Sequence, residues 1–355
     1  MVDWTSSMQQ TFEYYIVDTE TWKDKKKIDT VVNSKISRDL EAETLGSASI
    51  TTTESLGECY IRIYLITIQN RIREKHPLGT FLIQSPSYSF DGKIKTITMD
   101  AYTPLLELKE KNPPIGYSIY KDENILERAC LILRDQIRAP YVTSDKDITL
   151  TDNFTANIDD TWMTFLIDLL ANAKMRLELD ELGRVLFAPE QELSALQPIW
   201  TFNSGNSSIL YPNFDIQHDL YGIPNVVEVI YSNGKETISS VAINDDPNSP
   251  VSTVSRGRII NKRISNPSVN GNPSKEELDL YARSTLKALS SIEYTISFTH
   301  GYCPVRIGDC VRLNYETAGL KNIKAKIINQ SISCVPGCPV TSKAIFTSNL
   351  WEGDK

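Results

Sequence analysis

The chain has 355 residues, which at about 150 residues per domain predicts two or three compact units. Hydrophobic residues make up 41% and charged residues 23%, the balance of a folded protein rather than a disordered one. The net charge of −8 excludes a protein that grips nucleic acid over its whole surface, because phosphate binding needs a basic footprint.

The first hundred residues carry β signals. Phe12 to Val17 reads as a strand and the lysine-rich Trp22 to Lys27 as a solvated turn. Ile28 to Ile36 and Ala48 to Thr53 follow as strands around the polar span Arg38 to Gly46. In Cys59 to Ile68, Tyr60, Arg62 and Tyr64 fall on one face and Ile61, Ile63 and Leu65 on the other. Asp91-Gly92, between Tyr88 and Met99, predicts a type I′ hairpin. Residues 1–110 are therefore expected to form a small antiparallel barrel or sandwich.

Pro113-Pro114 marks a boundary. Asp122 to Arg138 has a helical stripe of Ile125, Leu126, Ala129, Leu133 and Ile137, closed by Pro140. A second helix, capped by Asp159 or Asp160, turns Trp162, Phe165, Leu166, Leu169 and Leu170 inward. With the hairpin Arg176 to Phe187, residues 111–205 read as an α+β unit. β chemistry resumes with Asn225 to Tyr231 and Thr237 to Ile243, joined by an I′-type Asn233-Gly234 turn. Residues 245–273, rich in Asn, Pro, Ser and Gly, read as an excursion. Ser274 and Glu277 form a capping box that opens a helix to about Leu289. Four strands follow, Glu293 to Phe298, Asp309 to Tyr315, Ile323 to Ser333 and Thr341 to Thr347, then a polar tail from Trp351. The expected class is α+β, mostly β.

No stretch approaches about 18 uncharged apolar residues; the most apolar helix already carries Asp168. The opening Met1 to Ser6 lacks the basic and apolar parts of a secretory signal, so the chain is expected to be made in the cytoplasm, without membrane insertion. Six cysteines are present. Cys59 and Cys130 read as small buried hydrophobes. Cys303, Cys310, Cys334 and Cys338, with His300, could close a zinc site. Their C-x6-C and C-x3-C spacings match no usual zinc knuckle and favour reduced thiols in a β-rich core. His76 reads as part of a polar turn and His218 as part of a loop, neither with a nucleophile partner. Nucleophile-elbow, zincin, Walker and dinucleotide motifs are absent from the sequence. No catalytic residue, cofactor or metal is assigned.

The order of two β-rich regions around an α+β middle resembles the baseplate hub proteins of contractile phage tails, defective prophages and R-type bacteriocins. The residues that carry the resemblance are Ile36 to Ile50, Gly57 to Tyr64, Tyr221 to Val229 and Tyr302 to Val311, and it spans nearly the whole chain as a matter of pattern and order. It implies two tail-tube-like β-barrels, one from 1–110 and one from 206–243 with 292–349, the stretch 244–291 being an insertion and 350–355 a tail. Three copies would then present six barrels to a hexameric tube, burying strand edges around a channel. The implied function is a structural hub without turnover. Its implied partners are two further copies of itself in a homotrimer, the tail tube hexamer, the central spike, the tape measure protein and the baseplate wedge. It would reside in the baseplate of a virion or tail-like particle assembled in the bacterial cytoplasm.

In such subunits a loop reaches onto the neighbour, so Arg38, Asp39, Glu41 and Glu43 are expected to make inter-subunit contacts, the competing reading being a solvated loop. The acidic balance suits a channel that passes DNA without holding it. Some hubs carry a fused lytic domain; here wall digestion is expected from a separate protein. Two other functions compete. One is a peptidoglycan-cleaving tail enzyme, since paired carboxylates leave no local signature. The other is a receptor- or glycan-binding tail module using Trp4, Trp22 or Trp200.

Overall fold

The computed structural model describes residues 2–144, 146–205, 207–232, 236–267 and 273–351. The first seven strands are β1 (Gln9–Val17), β2 (Asp24–Ile28), β3 (Val31–Asp39), β4 (Gly46–Thr52), β5 (Tyr60–Gln69), β6 (Ile72–Phe90) and β7 (Lys95–Tyr102). The middle region holds α1 (Leu106–Lys109), β8 (Ser118–Ile119), α2 (Ile125–Gln136), β9 (Phe154–Thr155), α3 (Trp162–Ala171), β10 (Met175–Leu179) and β11 (Val185–Pro189). Next come β12 (Pro198–Asn203), β13 (Leu210–His218), β14 (Val226–Ser232), β15 (Thr237–Ile243), α4 (Thr253–Arg256), β16 (Asn261–Ser265) and α5 (Lys275–Leu289). The chain ends with β17 (Ser291–Gly301), β18 (Cys310–Tyr315), β19 (Leu320–Ser333) and β20 (Pro339–Asn349). The protein is α+β and mostly β, as the alternating sequence patterns imply.

It divides into two compact units, residues 1–214 with 297–344 and residues 215–296 with 345–355. Thirteen strands form one sheet in the order β13-β17-β20-β19-β3-β4-β7-β6-β5-β1-β2, with β18 on β19 and β12 on β18. The family resemblance implies two tail-tube-like β-barrels. Instead β3 gives its second edge to β19, from Asp39↔Asn329 to Lys35↔Ser333, and the strands run on as a single sheet. Among the described residues no ladder joins β2 to β3, so the first half stays open.

The two halves of this sheet share one strand plan. From β3 the first half reads β3-β4-β7-β6-β5-β1, and from β13 the second reads β13-β17-β20-β19-β18-β12. Taken along the chain, β1, β3, β4, β5, β6 and β7 stand against β12, β13, β17, β18, β19 and β20, each at the same place in sequence and in sheet. Among the described residues the plans depart where β2 has no counterpart, where β14 to α5 intervene between β13 and β17, and where β12 runs parallel to β18 while β1 is antiparallel to β5.

In the first unit, Ile36, Ile50, Ile61, Ile63, Leu65 and Met99 form the sheet's core with Ile332, Cys334 and Cys338. β5 is buried on both faces from Tyr60 to Thr67, because Tyr60 and Arg62 meet Glu107 and Leu182 of the middle region while Tyr64 is covered by Tyr15, Asp24 and Lys75. In the middle region the helices bury Leu126, Leu133, Phe165, Leu166 and Leu169 against Leu177 and Val185. Asn124 caps α2, accepting from the Leu126 and Glu127 amides. Thr161, not either aspartate, caps α3, forming a capping box with Thr164. The lysine run proves to be strand β2 rather than a turn, paired among the described residues with β1 alone, where exposed lysines guard a sheet edge against further pairing. The Asp91 hairpin loop has four residues, Phe90 pairing with Lys95. Asp91 Oδ1 accepts from the Lys93 and Ile94 amides, and only Gly92 takes positive φ, so the expected two-residue I′ turn does not form.

In the second unit β15-β14-β16 make a three-stranded sheet, and α5 lays Leu278, Ala282 and Leu286 against Val227, Val229 and Ala242. Ser274 and Glu277 form the expected capping box. The 226–243 hairpin thus pairs with residues from the expected insertion, not with the large sheet; Asn233-Gly234 lies outside the described residues. The excursion contains α4 and β16, and Trp351 is a core residue, 5% exposed, not part of a polar tail.

Candidate assembly interface

The span 38–46 is not a projecting loop. β3 continues through Asp39 and β4 begins at Gly46. The six residues between are tied down by Leu40 N–H to Ile328 O at 2.8 Å and by Leu45 N–H to Ala42 O at 2.9 Å. Arg38 is committed within its own chain. Its guanidinium donates to Leu78 O at 2.8 Å and to Gln330 Oε1 at 3.3 Å, and lies 3.6 Å from Glu181. Glu181 also holds Arg306 at 2.8 Å, so this network clamps the β10–β11 hairpin to the sheet. Asp39 accepts from the Glu41 amide at 3.0 Å, closing the turn. Glu43 pairs with Lys109 at 2.7 Å, and only Glu41 and Glu43 present exposed side chains. Gly46 is required here: at φ +146° a Cβ would stand 2.3 Å from Ser37 O. Gly46→Ala is expected to cost about 1–3 kcal/mol through overpacking against a backbone that cannot yield, read as a lowered denaturation midpoint.

The more telling surface spans the seam between the two halves. Across β19-β3-β4-β7, one row reads Ser331, Ser37, Ser47, Tyr102 and the next Ser333, Lys35, Ser49, Asp100. A third row reads Asn33, Thr51, Thr98 and reaches Ser87 of β6. The alternate rows, such as Ile332, Ile36, Ala48 and Ala101, are buried. Period-2 alternation therefore gives the seam an oily inner face and a face of short hydroxyl side chains. The hydroxyl face contains a shallow depression of about 420 Å³. Its charges are one lysine and one aspartate on the same row, which offset each other. Sequence reasoning missed this face, although the alternating serines in Ser47-Ala48-Ser49 and Ser331-Ile332-Ser333 signal it.

A cavity of about 50 Å³ lies among Arg38, Thr80, Arg176, Glu178, Glu181 and Arg306. Among the described residues no three His, Cys, Asp or Glu side chains converge as a metal site. Burial pushes the Cys334 thiol up to about 11 and that of Cys303 up to about 12, so both are protonated at neutral pH and weak as nucleophiles or ligands. His76 lies in β6, not a turn, with its Nε2 3.1 Å from Thr67 Oγ1. His218 closes β13, its ring against Tyr294. Trp22 donates to Leu182 O at 2.7 Å, Trp4 packs on His76 and Tyr302, and Trp200 on Phe202. All three tryptophans are half-buried.

No family model matches the sequence, and no curated protein matches it. Solved structures do. The tail protein from Neisseria meningitidis MC58 superimposes with a TM-score of 0.59 at 12% identity, over 95% of this chain and 96% of that one. The 43 kDa tail protein of prophage MuSo2 from Shewanella oneidensis gives 0.59 at 12% identity, over 94% and 98%. A chain of the half-lidded Francisella PdpA–VgrG complex gives 0.55 at 11% identity, over 99% of this chain and 60% of that one. At such identities the likeness concerns architecture, and it extends over almost the full length: the chain has the fold of phage tail proteins.

Proposed function

We propose that the chain is a structural baseplate hub of a contractile phage tail or tail-like particle. Three copies would form a ring that adapts the six-fold tail tube to the three-fold central spike and surrounds the tail channel. The observation that carries this reading is the seam: two halves of matching strand plan, fused by the β19–β3 ladder, share one hydroxyl-rich, charge-balanced face. Two such halves per chain make six per trimer, which answers the symmetry of a hexameric tube. A wall of serine and threonine with offsetting charges neither attracts phosphates nor offers an apolar surface for a passing polymer to stick to.

In this role the partners are the tube hexamer above, the spike below, and the tape measure and wedge proteins around them, all within the particle. The turn at 38–46, with Glu41 and Glu43 outward, is a secondary contact at most, since Arg38 already serves its own chain. Reconstruction of the particle is expected to place three copies between tube and spike with the Ser37–Ser49 face toward the axis. A copy number other than three, or that face turned outward, would refute the reading. Clearing of purified cell wall by this chain alone would favour the hydrolase instead.

A further inference from the structure

The repeated strand plan predicts where one copy meets the next. β6 and β19 are counterparts, and each outruns its neighbour on one side. β5 accompanies β6 only as far as Tyr60↔Leu82, and β18 accompanies β19 only as far as Cys310↔Lys326. Beyond that point Asn329–Ser333 of β19 takes β3 as its partner. Counting on from Leu82, the corresponding stretch of β6 is Ser85–Ser89. After a bulge at Ser85, where φ is +24°, Pro86–Ser89 pairs with β7 on one side and, among the described residues, with no strand on the other. The counterpart of β3 is β13, which pairs with β17 and, among the described residues, leaves its outer edge open.

We infer that Ser85–Ser89 of one copy pairs antiparallel with β13 of a second copy, repeating between chains the ladder that joins β19 to β3 within one. This rests on the ring reading above and names its interface. The side chains separate these edges from one that is meant to stay free. The open edge of β2 carries Lys25, Lys26 and Lys27, all exposed, the usual guard against edge pairing. Ser85-Pro86-Ser87-Tyr88-Ser89 carries no charge and β13 one formal charge, Asp215; each holds one proline, Pro86 and Pro212, so each lacks a single ladder donor rather than carrying a row of lysines. Both stretches are nevertheless exposed. On the β6–β7 hairpin Tyr88 is 57% and Phe90 68% exposed, and β13 shows Tyr211 and Ile216 to solvent. A two-stranded hairpin extending past its sheet is marginal in water and gains from a third strand. Because the two edges differ, the contact is head-to-tail, the kind that closes into a ring.

Within the chain Ser331 faces Ser37. The counterpart of Ser331 is Ser87, and the β13 residues brought level with Ser37 by the Gly301–Ile209 hydrogen bond and the shifted β3–β4 register are those around Asp215, from Asn213 to Gln217. The test is the full-length chain carrying Ser87→Cys and Asp215→Cys, oxidised mildly and run without reductant. Cross-linked dimers and trimers are expected, and neither single variant should yield the trimer. A trimer by sedimentation with no cross-link, either from this pair or from Ser87→Cys combined with Asn213→Cys or Gln217→Cys, would overturn the edge pairing and leave the ring standing. A monomer at every concentration with no cross-link would remove both. On the unmodified chain, amide exchange within 85–90 and 210–218 is expected to slow on oligomerisation, and unchanged exchange in a formed trimer would also overturn the pairing.

Discussion

Arg62→Ala is expected to lower the unfolding free energy by about 2–3 kcal/mol, the cost of leaving buried hydrogen-bond partners unpaired. Arg62 is only 4% exposed, yet every part of its fork is used. Nε donates to Thr80 Oγ1 at 2.9 Å, Nη1 to Asp24 Oδ1 at 3.0 Å, and Nη2 to Trp22 O at 3.2 Å and Leu182 O at 3.1 Å. One side chain of β5 thereby fastens the β2 edge and the tip of the β10–β11 hairpin to the sheet. Asp24 would keep Lys75 at 3.1 Å and Tyr64 at 2.9 Å, and Leu182 O would keep Trp22 Nε1 at 2.7 Å, so the uncompensated groups in the variant are chiefly Thr80 and Trp22 O. Arg62→Met keeps the stem's packing but none of the donors, and should recover part of the loss. Arg62→Lys cannot reproduce the planar fork and should fall close to alanine. Denaturant titration of the three variants gives the ranking. A loss below about 1 kcal/mol for alanine, the usual worth of an exposed pair, would mean that the clamp is ornamental. Protease cleavage near Gly183 should accelerate in step with the loss, because the tip loses one of its anchors.

Local features were legible because local chemistry decides them. The Ser274–Glu277 capping box, the stripe of α2 and the alternation of β5 each follow from residues within a few positions of one another. Pairing between distant strands is different. Ser331 and Ser37 are set in register by the sheet, and nothing near either residue names the other. The same limit explains Arg38. Its ion pair with Glu181 joins residues far apart in sequence, and nothing near Arg38 in the polar span names that neighbour. Thr161 overrode Asp159 and Asp160 because Thr164 sits at the third helical position and can answer the cap, whereas Asp160 instead accepts from the Asn157 amide at 2.7 Å. The lysine run was misplaced because charge suggests solvent without distinguishing a turn from an edge strand. The hydroxyl face lay open in the period-2 serines, but its meaning needed the β19–β3 ladder that brings Ser331 and Ser333 beside Ser37 and Lys35.

His300 should make the fold acid-labile well before its carboxylates do. The ring is fully buried between Phe202 and Phe298, at 4.7 and 5.5 Å. Nδ1 donates to Gly301 O at 2.7 Å, and Nε2 accepts from Ser342 Oγ at 2.9 Å. Burial lowers its pKa to about 4, against about 6.5 in an unfolded chain. Between those values the unfolded state binds a proton that the native state refuses, so stability falls as pH drops from about 6.5 toward 4. The full loss is about 3 kcal/mol, and above about pH 7.5 His300 contributes no slope. His76, also held low by burial, works in the same direction. Carboxylates held low by hydrogen bonds, such as Asp18 at about 2, act only at lower pH. Asp309, which burial holds above the usual carboxylate range, runs the other way. Both aspartates are common to parent and variant, so His300→Phe isolates the ring. At pH 7.5 the variant should be the less stable, by about 1–3 kcal/mol, having left Gly301 O and Ser342 Oγ unpaired. Toward pH 4.5 its melting temperature should decline less than the parent's and the two curves should converge. Parallel curves across that range would mean that His300 takes up its proton in the native sheet, and the acid sensitivity would then lie elsewhere.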